Sequence, residues 1–182
     1  RLCFINKLDR TGADFYKDLK SIHDRLTKNA HPTQLPIGTE DNFIGIIDLL
    51  ERKAHFFRDD LGQKVEIIDI PDDMKELAAE WRAKLVEAIC ENDETLLNKF
   101  LAGEEIPVPD LKRVLRQAVI AFNIVPVLCG SALKNKGVQL MLDSVVDYLP
   151  CPLDGPPLQG HDVDDPTKEI LVKTDDSAPC TA

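Results

Sequence analysis

The stretch CFINKLDR, Cys3 to Arg10, sets an apolar run directly against three hydrogen-bonding side chains with one leucine among them. A short apolar run bounded by turn residues is the pattern of a parallel strand buried on both faces. Leu2–Ile5 fits it, which puts Asn6 at the carboxyl edge of a sheet. In open α/β sheets ligands lie beyond that edge, so Asn6, Lys7 and Asp9 are candidate binding residues. The plainer alternative is a strand-to-helix turn in which Asp9 caps the next helix.

Working outward, Phe15, Leu19, Ile22 and Leu26 recur at helical spacing, predicting a helix over about 14–29. From His31 onward, Pro32, Pro36, Gly38 and Gly45 punctuate short β-rich runs, chiefly 43–49 and 55–57, and QKVEIIDIP alternates like a strand up to Pro71. Pro71 and Asp72 signal a long helix with Met74, Leu77, Ala78, Trp81, Leu85, Ala88 and Ile89 as its apolar stripe, Trp81 included as core. Two further helices are expected over 93–102 and from about Pro109, the latter with Leu111, Val114, Leu115, Ala118 and Phe122 on one face. NIVPVLCGSALKNKG then supplies a second buried strand, 124–129, a second polar turn and a helix over 138–149. PCPLDGPP is a rigid linker, and a last strand is expected over 169–173. Two strand–turn–helix units therefore bracket a mixed α+β block.

With 43 % apolar and 30 % charged residues the composition is that of a water-soluble globular chain, and no apolar run is long enough to span a bilayer. No secretory leader is recognisable. Five cysteines without C-x-x-C spacing argue against a disulfide framework or structural zinc, and the four histidines lack ligand spacing, so no metal site is expected. A net charge of −10 disfavours nucleic-acid backbones and suits a basic protein partner. The chain opens at Arg1 inside a strand and stops at SAPCTA, the expectation for a piece of something longer.

The two turns suit one ligand chemistry. Guanine presents N1–H and N2–H₂ as adjacent donors in one plane, and a carboxylate offers two acceptors at matching separation. Asp9 could accept both, Lys7 could lay its aliphatic stem over the purine, and Asn6 could tie neighbouring loops together. In the second turn Gly130-Ser131-Ala132 is small enough for backbone to approach a ring, with an N–H available for guanine O6. Lys134 and Lys136 beside it are either solvated or close to a phosphate.

FINKLDRTGADF and PVLCGSALKNKGVQLMLDSVVDYLPCPLDGPP, with PIGTEDNFIGIIDLLERKAHFF and NKFLAGEEI between them, closely resemble the elongation factor G family of translational GTPases. The resemblance covers nearly the whole chain. It implies an α/β fold: the C-terminal part of a P-loop-GTPase-type parallel sheet with an inserted mixed α+β subdomain. Residues 1–29 and 123–157 would be the C-terminal half of the GTPase domain, 30–122 the G-prime insert, and 158–182 a linker and the start of a β-barrel domain. It implies guanine-binding roles for Asn6, Lys7, Leu8 and Asp9, and for Ser131, Ala132 and Leu133. GTP or GDP would be the ligand, and the family's ribosome, including its large-subunit stalk protein, the partner. On the insert, Glu76, Glu80, Glu87 and Glu91 would be the residues facing that partner, unless they form only a solvated face with support such as Glu80–Lys84. The cytoplasm or an organellar matrix would be the location.

Other parts of the family pattern do not occur in these 182 residues. No G-x-x-x-x-G-K-[ST] and no D-x-P-G-H occurs, so no catalytic residue is assigned, and the Mg²⁺ that accompanies the nucleotide would be held elsewhere. Asp9-Arg10-Thr11-Gly12 matches D-x-x-G but overlaps the base-reading turn. Two other readings remain: an interaction module whose turns merely hold the sheet, or a related factor acting in ribosome protection, recycling or release.

Overall fold

The computed structural model of the protein describes residues 1–59, 61–155, 158–162, 165 and 167–172. In chain order its first elements are β1 (Cys3–Ile5), α1 (Phe15–Arg25), β2 (Ala30–Pro32), β3 (Gln34–Ile37), β4 (Gly45–Asp48), β5 (Lys53–Phe57) and β6 (Val65–Asp69). There follow α2 (Lys75–Cys90), α3 (Glu94–Leu101), α4 (Val108–Ile120), β7 (Val125–Cys129), α5 (Val138–Tyr148), β8 (Leu158–His161) and β9 (Glu169–Val172). The fold is α/β, with one parallel sheet and further antiparallel ones.

The first apolar run does become a strand. β1 pairs in parallel with β7, Cys3 opposite Val127 and Ile5 opposite Cys129. β7 is buried along its whole length and is the middle strand of the order β1-β7-β2. Pro126 is tolerated in this central strand because donors alternate sides along a strand. The Val125 N–H points to the β2 side, onto the Asn29 carbonyl, so Pro126 lacks its donor on the β1 side. There β1 pairs only from Val127 onward.

The third parallel strand lies where sequence reading found only punctuation. β2 runs beside β7, with Ala30 opposite Val125, and continues through Thr33 into β3, the edge of the four-stranded antiparallel sheet β3-β4-β5-β6. One extended segment, residues 30–37, thus serves two sheets. Buried Thr33 joins them: its N–H donates to the Val127 carbonyl and its own carbonyl accepts from the Leu49 N–H, both at 3.0 Å. Buried Gln34 adds a side-chain bond, its Oε1 accepting the Cys129 N–H at 3.3 Å.

The helices start where their caps are. The Asp14 carboxylate accepts the Tyr16 and Lys17 N–H groups, and Asp93 those of Thr95 and Leu96. Asp14, then, and not Asp9, caps α1. That helix is shorter than its periodicity predicts; it ends at Arg25 and leaves Leu26 exposed. On α4 the stripe Leu111, Val114, Leu115 and Ala118 is buried, each such side chain contributing roughly 1.5–3 kcal/mol where it is large. Phe122 departs from that stripe. The Asn123 N–H closes back on the Ala118 carbonyl at 2.8 Å, Phe122 takes a left-handed φ of 62°, and its ring emerges beneath the Arg1 guanidinium. Trp81 is half-buried, packed at 5.9 Å between ring centroids on Tyr16 of α1.

Residues 1–149 form one compact unit and 150–182 another. In the second, β8 and β9 make an antiparallel pair with Leu158 opposite Val172. Pro156, Pro157, Lys173, Cys180 and the expected features at 173–182 lie outside the described residues.

Candidate functional site

β1 and β7 end side by side, so the polar turns that follow them meet at one carboxyl edge. The Gly130 N–H donates to the Ile5 carbonyl at 3.0 Å, and the Leu8 N–H to the Gly130 carbonyl at 3.2 Å. Asn6 makes the tie expected of it. Its Oδ1 accepts the Lys7 N–H at 2.8 Å and, from 126 residues away in sequence, the Ala132 N–H at 2.9 Å. Lys7 adopts a left-handed φ of 66°, a conformation costing a non-glycine residue about 1–2 kcal/mol. It turns the chain so that Lys7 is exposed while Leu8 enters the core at 3 % exposure. Leu8 therefore serves the turn through its backbone and its packing.

Asp9 is nearly buried, at 9 % exposure, beside a fully enclosed Ser131. The Ser131 hydroxyl, outweighing the opposing effect of burial, holds the Asp9 carboxyl below its ordinary range; Arg10 and Lys134 act in the same direction. The group is an anion at neutral pH, and a carboxylate has acceptor capacity for a planar pair of donors besides.

The second turn is a tight loop closed by reciprocal bonds between Ser131 and Lys136, at 2.9 and 3.0 Å. Gly130 is required by space: a Cβ there would run into the Lys136 carbonyl and the Phe4 ring. The N–H groups of Gly130, Ser131 and Ala132 are all engaged, by Ile5, Lys136 and Asn6. The donor expected among these three for a ligand carbonyl thus moves one residue on, to Leu133, whose N–H has no protein partner among the described residues and whose side chain is 76 % exposed.

Lys136 corrects the sequence reading. It is neither solvated nor facing a ligand; its ammonium is buried and donates to the Phe43 carbonyl at 3.0 Å. Lys134 is half-buried near Asp9. Glu40 was not singled out by sequence, yet its N–H donates to the Leu8 carbonyl at 3.0 Å and its Oε1 accepts the Gly12 N–H at 2.7 Å. Gln34 was missed likewise. No local pattern distinguishes such residues, because their partners lie 28 to 95 positions away.

Glu76, Glu80 and Glu87 on α2 and Glu91 at its end are exposed, well apart in sequence from the turns, and Glu80 pairs with Lys84 at 2.6 Å as the helical spacing predicts. Among the described residues no three His, Cys, Asp or Glu side chains cluster as metal ligands. Cys3, Cys90, Cys129 and Cys151 are unpaired thiols, and burial pushes that of Cys129 far up. A cavity of about 580 Å³ lies inside the insert, lined by Ile70, Ala78, Arg82, Phe100 and Ile106 among others, not at the turns. No helix among the described residues is long and apolar enough to cross a membrane.

A crystal structure from Thermus thermophilus superposes with a TM-score of 0.74 at 30 % sequence identity, over 87 % of this chain. The match takes in 24 % of the Thermus chain, so this sequence spans about a quarter of that protein's length. The family model described as the elongation factor Tu GTP binding domain matches residues 1–151, which include both turns and everything between them. The chain belongs to the elongation factor Tu GTP-binding domain family.

Proposed function

We propose that this chain is the guanine-reading part of a translational GTPase of the elongation factor G kind, the whole protein coupling GTP hydrolysis to tRNA–mRNA translocation on the ribosome. One observation carries the reading: the Asn6 side chain accepts the Ala132 N–H and the Leu8 N–H donates to Gly130, which closes the two turns on each other at the sheet's carboxyl edge with Asp9 beside Ser131. In it Asp9 takes guanine N1–H and N2–H₂, the Leu133 N–H meets O6, and the Lys7 stem covers one face of the ring. Adenine fails on both edges, since it offers an acceptor at N1 and a donor where guanine has O6. The protein acts in whichever compartment holds its ribosomes, cytoplasm or organellar matrix.

The residues present fit the base and not the rest of the ligand. The chain has no phosphate loop, and its carboxylates do not gather into a Mg²⁺ site among the described residues. Most affinity for a nucleoside triphosphate comes from its phosphates and metal. The 182-residue chain by itself should therefore show no GTP binding by titration calorimetry at micromolar concentrations. A dissociation constant in the micromolar range or tighter would overturn that expectation.

A second reading adds to the first and concerns α2. Its three carboxylates and Glu91 at its end are exposed, one of them in an exposed pair with Lys84, and they suit a basic protein surface, the ribosomal stalk protein under this reading. Reversing Glu80 and Glu87 to lysine in the full-length factor should lower ribosome-stimulated GTPase activity several-fold, roughly 0.5 kcal/mol per lost pair. Unchanged stimulation would remove α2 from the interface.

A further inference from the structure

The segment between β3 and β4 leaves its own sheet to grip both turns. Thr39 to Phe43 forms a short 3₁₀ turn, with Glu40 at a left-handed φ of 54°. In that conformation the Glu40 N–H faces the Leu8 carbonyl, at 3.0 Å, while its carboxylate reaches Gly12, at 2.7 Å. Three residues on, the Phe43 carbonyl accepts the buried Lys136 ammonium from the second turn. Leu8 is thereby held through both of its peptide units, the one before it and the one that enters Asp9. The Leu8 N–H is bound to Gly130 and the Leu8 carbonyl to Glu40.

A peptide unit is planar, so fixing the carbonyl of Leu8 fixes the plane that enters Asp9. Together with the rotation about the Asp9 N–Cα and Cα–Cβ bonds, that plane sets the direction of the Asp9 side chain. Two carboxylate oxygens must lie in the plane of a purine edge to accept two bonds at once, and hydrogen bonds weaken steeply as they leave line. The Glu40 carboxylate closes the far side of the same loop by holding Gly12, itself at a left-handed φ of 82° with open space around it. Nothing else among the described bonds joins residues 10–12 to the insert.

We infer that Glu40 is a positioning residue for guanine recognition: its backbone N–H on Leu8 and its carboxylate on Gly12 together clamp the 6–12 turn from behind and aim Asp9 at the base. The inference rests on the guanine-site reading above and extends it to a residue that does not touch the nucleotide. It also gives the insert a stake in nucleotide affinity, since the clamp and the Lys136 bond both originate from the 39–43 turn.

The test uses the full-length factor and compares GDP with IDP, which lacks the N2 amine, by fluorescent-nucleotide displacement and stopped-flow release. In Glu40→Ala, GDP release should quicken roughly tenfold, the scale of one charge-assisted hydrogen bond. The GDP-to-IDP affinity ratio should shrink with it, because a mis-aimed carboxylate loses the N2 bond first. Glu40→Gln retains an acceptor and should restore most of the ratio. Glu40→Asp, one methylene too short for Gly12, should behave as the alanine variant and replaces it if that variant is unstable. A general loss of stability would weaken GDP and IDP alike. A wild-type ratio and release rate in Glu40→Ala or Glu40→Asp would overturn the clamp, whatever their melting temperatures. A wild-type protein that does not separate GDP from IDP would overturn the guanine-site reading and the clamp with it.

Discussion

Asp9→Asn in the full-length factor should convert a guanine-nucleotide protein into one that prefers xanthine nucleotides. Xanthine carries an oxygen where guanine carries the N2 amine. The wild-type carboxylate faces that oxygen with like polarity, whereas an asparagine carboxamide can donate to it. A carboxylate held below its ordinary pKa by Ser131 is fully ionised at neutral pH, so the substitution removes a formal charge and an acceptor together. Sites that recognise by hydrogen bonds reject mismatched partners by roughly 10⁴-fold, and a loss of GDP affinity of about 10²–10³-fold is expected after partial rearrangement. Xanthosine diphosphate should gain by a comparable factor. Competition binding with GDP, XDP and ADP measures all three at once. A uniform loss across the three nucleotides would show that Asp9 supports the turn without reading the base. The fold effect is separable: asparagine can still accept from the Ser131 hydroxyl, so the melting temperature should fall only slightly.

The largest effect on stability is expected at Gly137, with Gly12 as its internal control. Both take left-handed backbone conformations, φ 84° and 82°. Alanine at Gly12 would meet open space and should cost only the conformational penalty, about 1–2 kcal/mol. At Gly137 a new Cβ would lie 2.6 Å from Ile46 Cδ1 and 2.7 Å from the Cys129 carbonyl. The first contact is with a fully buried side chain of the insert sheet and the second with the last residue of β7, so neither neighbour can withdraw cheaply. An overpacking term of about 1–3 kcal/mol should add to the conformational one, giving about 2–5 kcal/mol in all. Urea unfolding of the 182-residue chain followed by its single tryptophan, Trp81, would report both variants. Equal midpoints for Gly12→Ala and Gly137→Ala would mean that the junction between Ile46 and the second turn is looser than its geometry implies.

How much of this could be read without coordinates divides along physical lines. Local signals carried far. The apolar runs at 2–5 and 124–129, the helical stripes and the helix expected over 93–102 correspond to β1, β7, α2, α3 and α4 to within a residue or two. The convergence of the two turns was legible because two apolar strands, each ended by a polar turn, imply one sheet with one carboxyl edge. β2 and β3 were not legible as strands. Pro32 and Pro36 sit inside them, and proline ordinarily marks a break. Both strands are sheet edges, where a missing donor can face away from the ladder. The remaining misses share another cause. Lys136 reads as solvated or close to a phosphate and Glu40 is not read at all, because nothing in their neighbourhoods announces a carbonyl 93 residues away or an amide 28 residues away.

Because residues 30–37 run unbroken from one sheet into the other, the insert is spliced into the GTPase sheet and does not hang from it on a tether. Excising it at its apparent margin would strip the parallel layer of its outer rung, β2, and leave the flank of β7 bare. A load applied anywhere on the antiparallel sheet has a taut backbone route, through Thr33, to the strand that carries the second turn. Any swap of this insert between homologous factors must therefore place its seam beyond Thr33, or the graft will arrive with a hole in its host.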